Sequence, residues 1–226
     1  MVGSSKPRRV NNRGEERPTQ MQRSARTRSA ILAAAEGEFA AEGLAGARTN
    51  AIARAAGVNK AMLYYHFESK QSLYEAVVEE HFRSFNEQAI AVLVGAGAAR
   101  DVLLRYLDLH LDFISSRRRY ASLYQRMMMG DDGLLERIAR KYFATRAAAL
   151  DRLLARGERS GDFRKTDRTH TAISIAALII FYFSNSRVVA LLRPGADPYS
   201  APNLRKRKEE VVRFIQHALF IEGKRR

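Results

Sequence analysis

Apolar residues recur at helical spacing along almost the whole chain. Ile31, Ala35 and Phe39 share a face with Leu32 beside them, and Gly43 predicts where that helix ends. Thr49 reads as the cap of a short helix over residues 50–56, which stops at Gly57. Asn59 caps a helix over 60–67 and Ser69 caps the next, where Leu73, Val77 and His81 form a stripe flanked by Tyr74, Val78, Phe82 and Phe85. Further helices are predicted over 102–116, 120–129 and 134–156, divided by the 95–97 break, the 117–119 arginine run and the turn Gly130-Asp131-Asp132-Gly133. A long apolar helix over 166–192, a Pro/Gly/Asp loop over 193–202 and an amphipathic helix over 204–221 complete the chain. Neither strand alternation nor an internal repeat appears, so the predicted fold class is all-α. The divisions expected are a flexible arm over 1–25, a small three-helix domain over 26–72 and a larger helical domain over 73–226.

Composition changes this picture in three ways. The 226 residues are 46% hydrophobic, an ordinary globular balance. The absence of cysteine excludes disulfides, thiolate metal sites and cysteine nucleophiles, and fits a cytoplasmic setting. Basic residues at the N-terminus precede no apolar stretch, so no secretory signal is expected. The apolar run 171–192 contains Ser174, Ser184, Asn185, Ser186 and Arg187, which favours a buried helix over a membrane span.

The net charge of +15 invites a nucleic-acid reading, but the charge sits at the ends. Residues 1–28 carry eight basic and two acidic side chains, and residues 203–226 eight and three. Residues 29–80 carry four basic and seven acidic ones and are net negative. Any case for DNA binding must therefore rest on placed groups.

Residues 49–70 supply them. A helix-turn-helix needs small residues where its helices cross (Ala53, Ala56), a turn residue tolerant of the left-handed region (Gly57), and apolar pins (Ile52, Val58, Leu63). The run Thr49-Asn-Ala-Ile-Ala-Arg-Ala-Ala-Gly-Val-Asn-Lys-Ala-Met-Leu-Tyr-Tyr-His-Phe-Glu-Ser-Lys70, followed by Leu73, resembles the signature of the TetR family of bacterial regulators. Two departures are Asn59 in place of the commoner Ser, and Met62 where a hydroxyl residue is frequent. The resemblance implies that Thr49 binds a phosphate and that Lys60, Ala61 and Met62 face base edges. It further implies that Tyr64, Tyr65 and His66 reach phosphates or the groove wall and that Lys70 anchors the DNA backbone. Leu63 and Phe67 are expected in the core. Tyr64 and Tyr65 have a plainer reading as an aromatic cluster of the small domain.

Catalysis has little foothold. The five histidines are scattered, with no i,i+4 pair to hold a metal, and no phosphate loop or nucleophile elbow is present. No cofactor is expected. The larger domain instead carries bulky residues suited to a cavity: Tyr106, Leu109, His110, Phe113, Tyr124, Met127, Met128, Met129, Tyr142 and Phe143, with Ile179, Phe183 and Asn185 from the long helix. Plain core is the competing reading for each. The resemblance implies a homodimer paired through the last two helices, which binds double-stranded palindromic operator DNA and is released, as a repressor, by a small-molecule effector. A large apolar part is expected in that effector. The rivals are a ligand-independent architectural DNA coat driven by the basic ends, and a helical binding module or enzyme with a chance motif.

Overall fold

The computed structural model describes residues 19–130, 133–192, 195 and 197–221. Most of the basic arm, the Asp131-Asp132 turn, part of the 193–202 loop and the basic residues Lys224, Arg225 and Arg226 lie outside the described residues.

Eleven α-helices are assigned among the described residues, and the chain divides into two units after Tyr74. In the first unit, α1 (Gln20–Gly46) begins six residues earlier than its apolar periodicity suggests. The cause is local. Thr19 Oγ1 accepts from the Gln22 amide at 3.2 Å while the Gln22 side chain accepts from the Thr19 amide at 2.8 Å, a reciprocal capping box. Gly43 interrupts the helix with φ 68°, as its composition predicts, but one further helical turn follows it. Helix α2 (Thr49–Ala55) starts at Thr49 itself, with Arg48 as the cap residue, so Thr49 is not the cap the sequence suggested. Gly57 turns the chain at φ 69°, and α3 (Lys60–His66) is capped by Asn59, whose Oδ1 accepts from the Met62 amide at 2.7 Å. Ser69 Oγ accepts from the Ser72 amide at 3.0 Å where α4 (Lys70–Leu93) begins. Ile31, Ala35, Phe39, Ile52, Ala53, Leu63, Phe67, Leu73 and Tyr74 are buried, and Phe39 meets Tyr74 edge to face at 5.2 Å. Each large member contributes about 1.5–3 kcal/mol by leaving water, which a unit this small needs.

The second unit holds the rest of α4 with α5 (Ala99–Ser115), α6 (Arg118–Met129), α7 (Leu134–Ile138), α8 (Ala144–Ser160), α9 (Arg168–Ser184), α10 (Ser186–Leu192) and α11 (Ala201–Leu219). Val102, Leu103, Tyr106, Leu107, His110 and Ile114 are the buried stripe of α5, at the spacing an amphipathic helix requires. A wide π-turn, Ala139–Phe143, joins α7 to α8 where a single helix is predicted. Near the end of α8, a Cβ added to Gly157 would lie 2.0 Å from Phe163 Cδ2, so only glycine admits that ring. Phe163 in turn stacks on Phe220 at 5.4 Å, and Arg164 N donates to Leu219 O at 2.8 Å, which fastens this corner to the end of α11.

The long apolar helix expected over 166–192 is two helices bent by 75°. Asn185 leaves the helical region (φ −111°, ψ 31°), and its Nδ2 donates to Phe181 O at 3.1 Å. Its side chain thus bonds a backbone carbonyl within a polar Ser-Asn-Ser run, a local alternative to continued helix. Only Ile175, Ile179 and Phe183 of α9 are buried, whereas Ile173 and Phe181 are exposed, as are Leu191 and Leu192 of α10 and Phe214 of α11. No single helix among the described residues is long and apolar enough to cross a membrane, although the bent α9–α10 pair passes by length and composition.

Candidate DNA interface and ligand cavity

In the first unit, α3 is short and has one fully buried side chain, Leu63. Around it the helix presents Lys60, Ala61, Met62, Tyr64 and Tyr65 to solvent, with His66 half-buried. Tyr65 is 79% exposed and meets His66 edge-on at 5.3 Å, which excludes it from the core and disposes of its plainer reading as a packing residue. Lys60 Nζ lies 5.8 Å from the Tyr64 ring centre, so an ammonium and a phenol stand together on one face.

Beside this helix is an open groove of about 590 Å³ lined by Arg48, Thr49, Asn50, Arg54, Tyr64 and Lys70 together with Ala47 and Ala51. Three of the four cations of residues 29–80 line it and none of the seven carboxylates does. The net negative charge of the segment therefore conceals a locally positive surface. The groove also holds the start of α2, which has no side-chain cap. The Arg48 amide donates to Glu38 at 2.9 Å and the Ala51 amide to Arg48 O at 3.0 Å, which leaves the Thr49 and Asn50 amides for an outside acceptor such as a phosphate oxygen. Lys70 also braces the end of α1. Its Nζ donates to Ala45 O at 3.1 Å and Ala47 O at 3.2 Å, which leaves one N–H for a ligand. Arg48, Asn50 and Arg54 are groove residues that motif reading omits. Arg48 and Asn50 flank Thr49 at the first turn of α2, and Arg54 lies in its last turn; that proximity to Thr49 in sequence is the signal that could have found the first two.

In the second unit, residues of α4, α5, α6, the π-turn, α8 and α9 surround a cavity of about 590 Å³, within the usual ~300–1,000 Å³ of small-molecule sites. Of the predicted pocket residues, Tyr106, His110, Tyr124 and Phe143 line it. Phe113, Met127, Ile179 and Phe183 are buried but are not among its lining residues: Phe113 packs on Phe85 at 4.9 Å and Phe183 on Tyr199 at 5.7 Å. Met128 and Met129 are 45% and 88% exposed, because the α6 stripe that enters the core is Tyr120, Leu123 and Met127. Leu109, Tyr142 and Asn185 also lie off the cavity wall, with Tyr142 Oη donating to Glu79 at 2.9 Å.

The polar groups of the cavity are the less expected part. His110 is 1% exposed, and its Nδ1 has no hydrogen-bond partner. Burial, and then the nearby Arg146 charge, hold its pKa well below the usual histidine value, so the imidazole is neutral at pH 7. Arg146 stands over the Phe85 ring at 5.0 Å and the Phe143 ring at 5.3 Å, within hydrogen-bonding reach of Tyr106, and its buried Nη1 is without a partner. Burial raises the pKa of Tyr106, Tyr120 and Tyr124, which remain phenols. Asp151 on the wall is paired with Arg168 at 2.7 Å. Phe82, Tyr120, Arg146 and Arg168 are wall residues that periodicity could not single out. Among the described residues, no three of His, Asp and Glu converge as a metal site.

Comparison with known proteins agrees with this geometry. The model of the tetR family of bacterial regulatory proteins matches residues 31–77, and that of the tetracyclin repressor-like C-terminal domain matches residues 135–215. The HTH-type transcriptional repressor NicS of Pseudomonas putida is 27% identical over 172 residues, 75% of this chain and 81% of NicS. The HTH-type transcriptional repressor SCO4008 of Streptomyces coelicolor is 36% identical over 84 residues, 37% of this chain and 42% of that protein. Among solved structures, a Saccharomonospora viridis protein in complex with choline has a TM-score of 0.69 at 19% identity, covering 88% of this chain and all (100%) of that one. A TetR/AcrR-family regulator of Thermobifida fusca has a TM-score of 0.65 at 21% identity, covering 88% and 98%. The chain therefore belongs to the TetR family of bacterial regulatory proteins and is a DNA-binding transcription regulator, not an enzyme.

Proposed function

We propose that the chain is a homodimeric repressor that grips a near-palindromic operator through α3 and the adjoining groove, and leaves it when a small molecule enters the cavity of the second unit. The observation that carries the DNA part is the face of α3, where one buried leucine anchors a row of exposed Lys60, Ala61, Met62, Tyr64 and Tyr65. In this reading Ala61 and Met62 meet thymine methyls. Lys60 reaches guanine acceptors or a phosphate. Thr49, Tyr64, His66 and Lys70, joined by Arg48 and Arg54, hold the backbone.

Dimerisation is supported by the exposed apolar side chains of α9, α10 and α11, which a second copy would cover. Two α3 helices about 34–36 Å apart would then meet successive major-groove faces. Helix α4 supplies continuity between the events: Lys70 of the groove is its first residue, and Phe82 of the cavity wall lies farther along it. A ligand acts on DNA affinity only through its differential affinity for the two shapes. NicS is named a repressor and the S. viridis protein holds choline, which supports reading this chain as a repressor with an effector.

DNase footprinting on genomic fragments tests the proposal. A discrete protected site is expected, and Lys60→Ala and Tyr64→Ala should each weaken it by about 1–3 kcal/mol per half-site, with the dimer intact by sedimentation. Uniform coating of DNA, or unchanged protection by both variants, defeats it.

A further inference from the structure

We propose that the cavity of the second unit takes an organic anion, with a carboxylate seated against Arg146 and His110 and an apolar or aromatic body along the ring-lined wall. This rests on the reading of the cavity as the effector site and adds the chemical class of its ligand.

Two buried nitrogens at the cavity lack partners, Arg146 Nη1 and His110 Nδ1, and His110 as a whole is almost fully buried. A buried guanidinium nitrogen and a buried imidazole nitrogen, each without a partner, carry a desolvation cost that a ligand acceptor would remove. A carboxylate supplies that acceptor, since its two oxygens match the guanidinium fork and still accept from a neutral imidazole N–H or the Tyr106 hydroxyl.

The charges on the wall point the same way. The charged residues lining the cavity are Arg146, Asp151, Arg152 and Arg168. Arg168 is held by Asp151 at 2.7 Å and Glu158 at 3.2 Å, so the wall's one carboxylate is already neutralised. Arg152 is exposed. Arg146, by contrast, has no carboxylate within 4.0 Å among the described residues and is left as the interior positive charge.

A ligand of the opposite charge is disfavoured. Rings such as Phe82, Tyr120, Tyr124 and Phe143 could attract an organic cation, but the Phe143 face already carries the protein's own guanidinium at 5.3 Å. A second cation there would meet like charge in a low-dielectric space. The same rings remain well suited to an apolar or aromatic body.

Isothermal titration calorimetry on the full chain tests this with two matched sets of probes. One set has a phenylbutyl body and one a decyl body, each made as a carboxylate, a primary alcohol and an ammonium. For at least one body, the carboxylate should bind about tenfold or more tighter than the alcohol, with the ammonium weakest. Arg146→Met keeps the apolar stem over Phe143 and should bring the carboxylate to the alcohol's affinity while the alcohol shifts by less than about twofold. Arg146→Lys, which retains the charge and loses the fork, should restore part of the preference. The proposal is overturned if neither set binds at millimolar concentration, if an alcohol or ammonium binds as well as its carboxylate in both sets, or if Arg146→Met retains the preference. Repeating the titrations on protein bound to a DNA site selected from random duplexes separates the two readings. A carboxylate that binds yet leaves the DNA complex intact defeats the effector role and upholds the anion site. An ammonium that binds best and releases DNA does the reverse.

Discussion

The two units expose and bury their working groups in opposite ways. On α3, Tyr65 is 79% exposed and Lys60, Tyr64 and Met62 also face solvent, whereas in the cavity Tyr106 is 2% and His110 1% exposed. In the proposed function the first unit meets DNA, which is large and carries its phosphates outside, so it needs donors at the surface and only enough core to hold them still. In that same reading a small molecule must be desolvated to be distinguished, a demand met by a second unit that holds buried polar atoms without partners. Stability and function thus pull together in the first unit and apart in the second.

Leu63→Ala gives the largest way to break this contrast. The side chain is fully buried in a small core, so the loss should be about 2–5 kcal/mol. Operator binding should vanish while calorimetric ligand binding by the second unit persists; simultaneous loss of both would show that the units do not act separately. His110→Phe sharpens the other side. Removing a buried unpartnered nitrogen should raise stability by about 1–2 kcal/mol in urea melts and weaken carboxylate binding. A destabilised variant would mean that the histidine is satisfied after all.

Asn59→Ala should cost about 1 kcal/mol, since it deletes the cap of α3 at an exposed position. Operator affinity should fall only as far as that fraying explains. The smallest effect concerns Glu79, whose carboxylate is held below its usual pKa chiefly by the hydrogen bond from Lys141. A depressed carboxylate contributes stability that is present above the unfolded value of about 4.3 and lost as pH falls through the folded one. The stability gap between wild type and Glu79→Gln should therefore be present at pH 7 and shrink as pH falls below the unfolded value; a gap independent of pH counts against the pairing.

Much of the first unit was legible because its determinants are local. Asn59, Gly57 and Ser69 each act on backbone within about four residues, so capping and turn rules place α3 and its flanks. The misplaced start of α1 is instructive, since Thr19 and Gln22 form a readable capping box that apolar periodicity overlooks. The bend at Asn185 was harder to see, because the apolar pattern on both sides is continuous and only the polar Ser-Asn-Ser run marks it.

The sequence by itself determined helical character and the bounds of α3, because spacing and local capping act along one helix. That Leu63 faces inward was readable in the same way, whereas the outward placement of Tyr65 emerged only from the packed unit. Tertiary structure alone decided the cavity. Met128 and Met129 look like wall residues and face solvent, while Arg146, in an alanine-rich stretch, stands inside beside His110 from a helix far away in sequence. Whether a bulky or charged side chain lines a void depends on how helices distant in the chain pack around it, and no rule confined to neighbouring residues contains that distance.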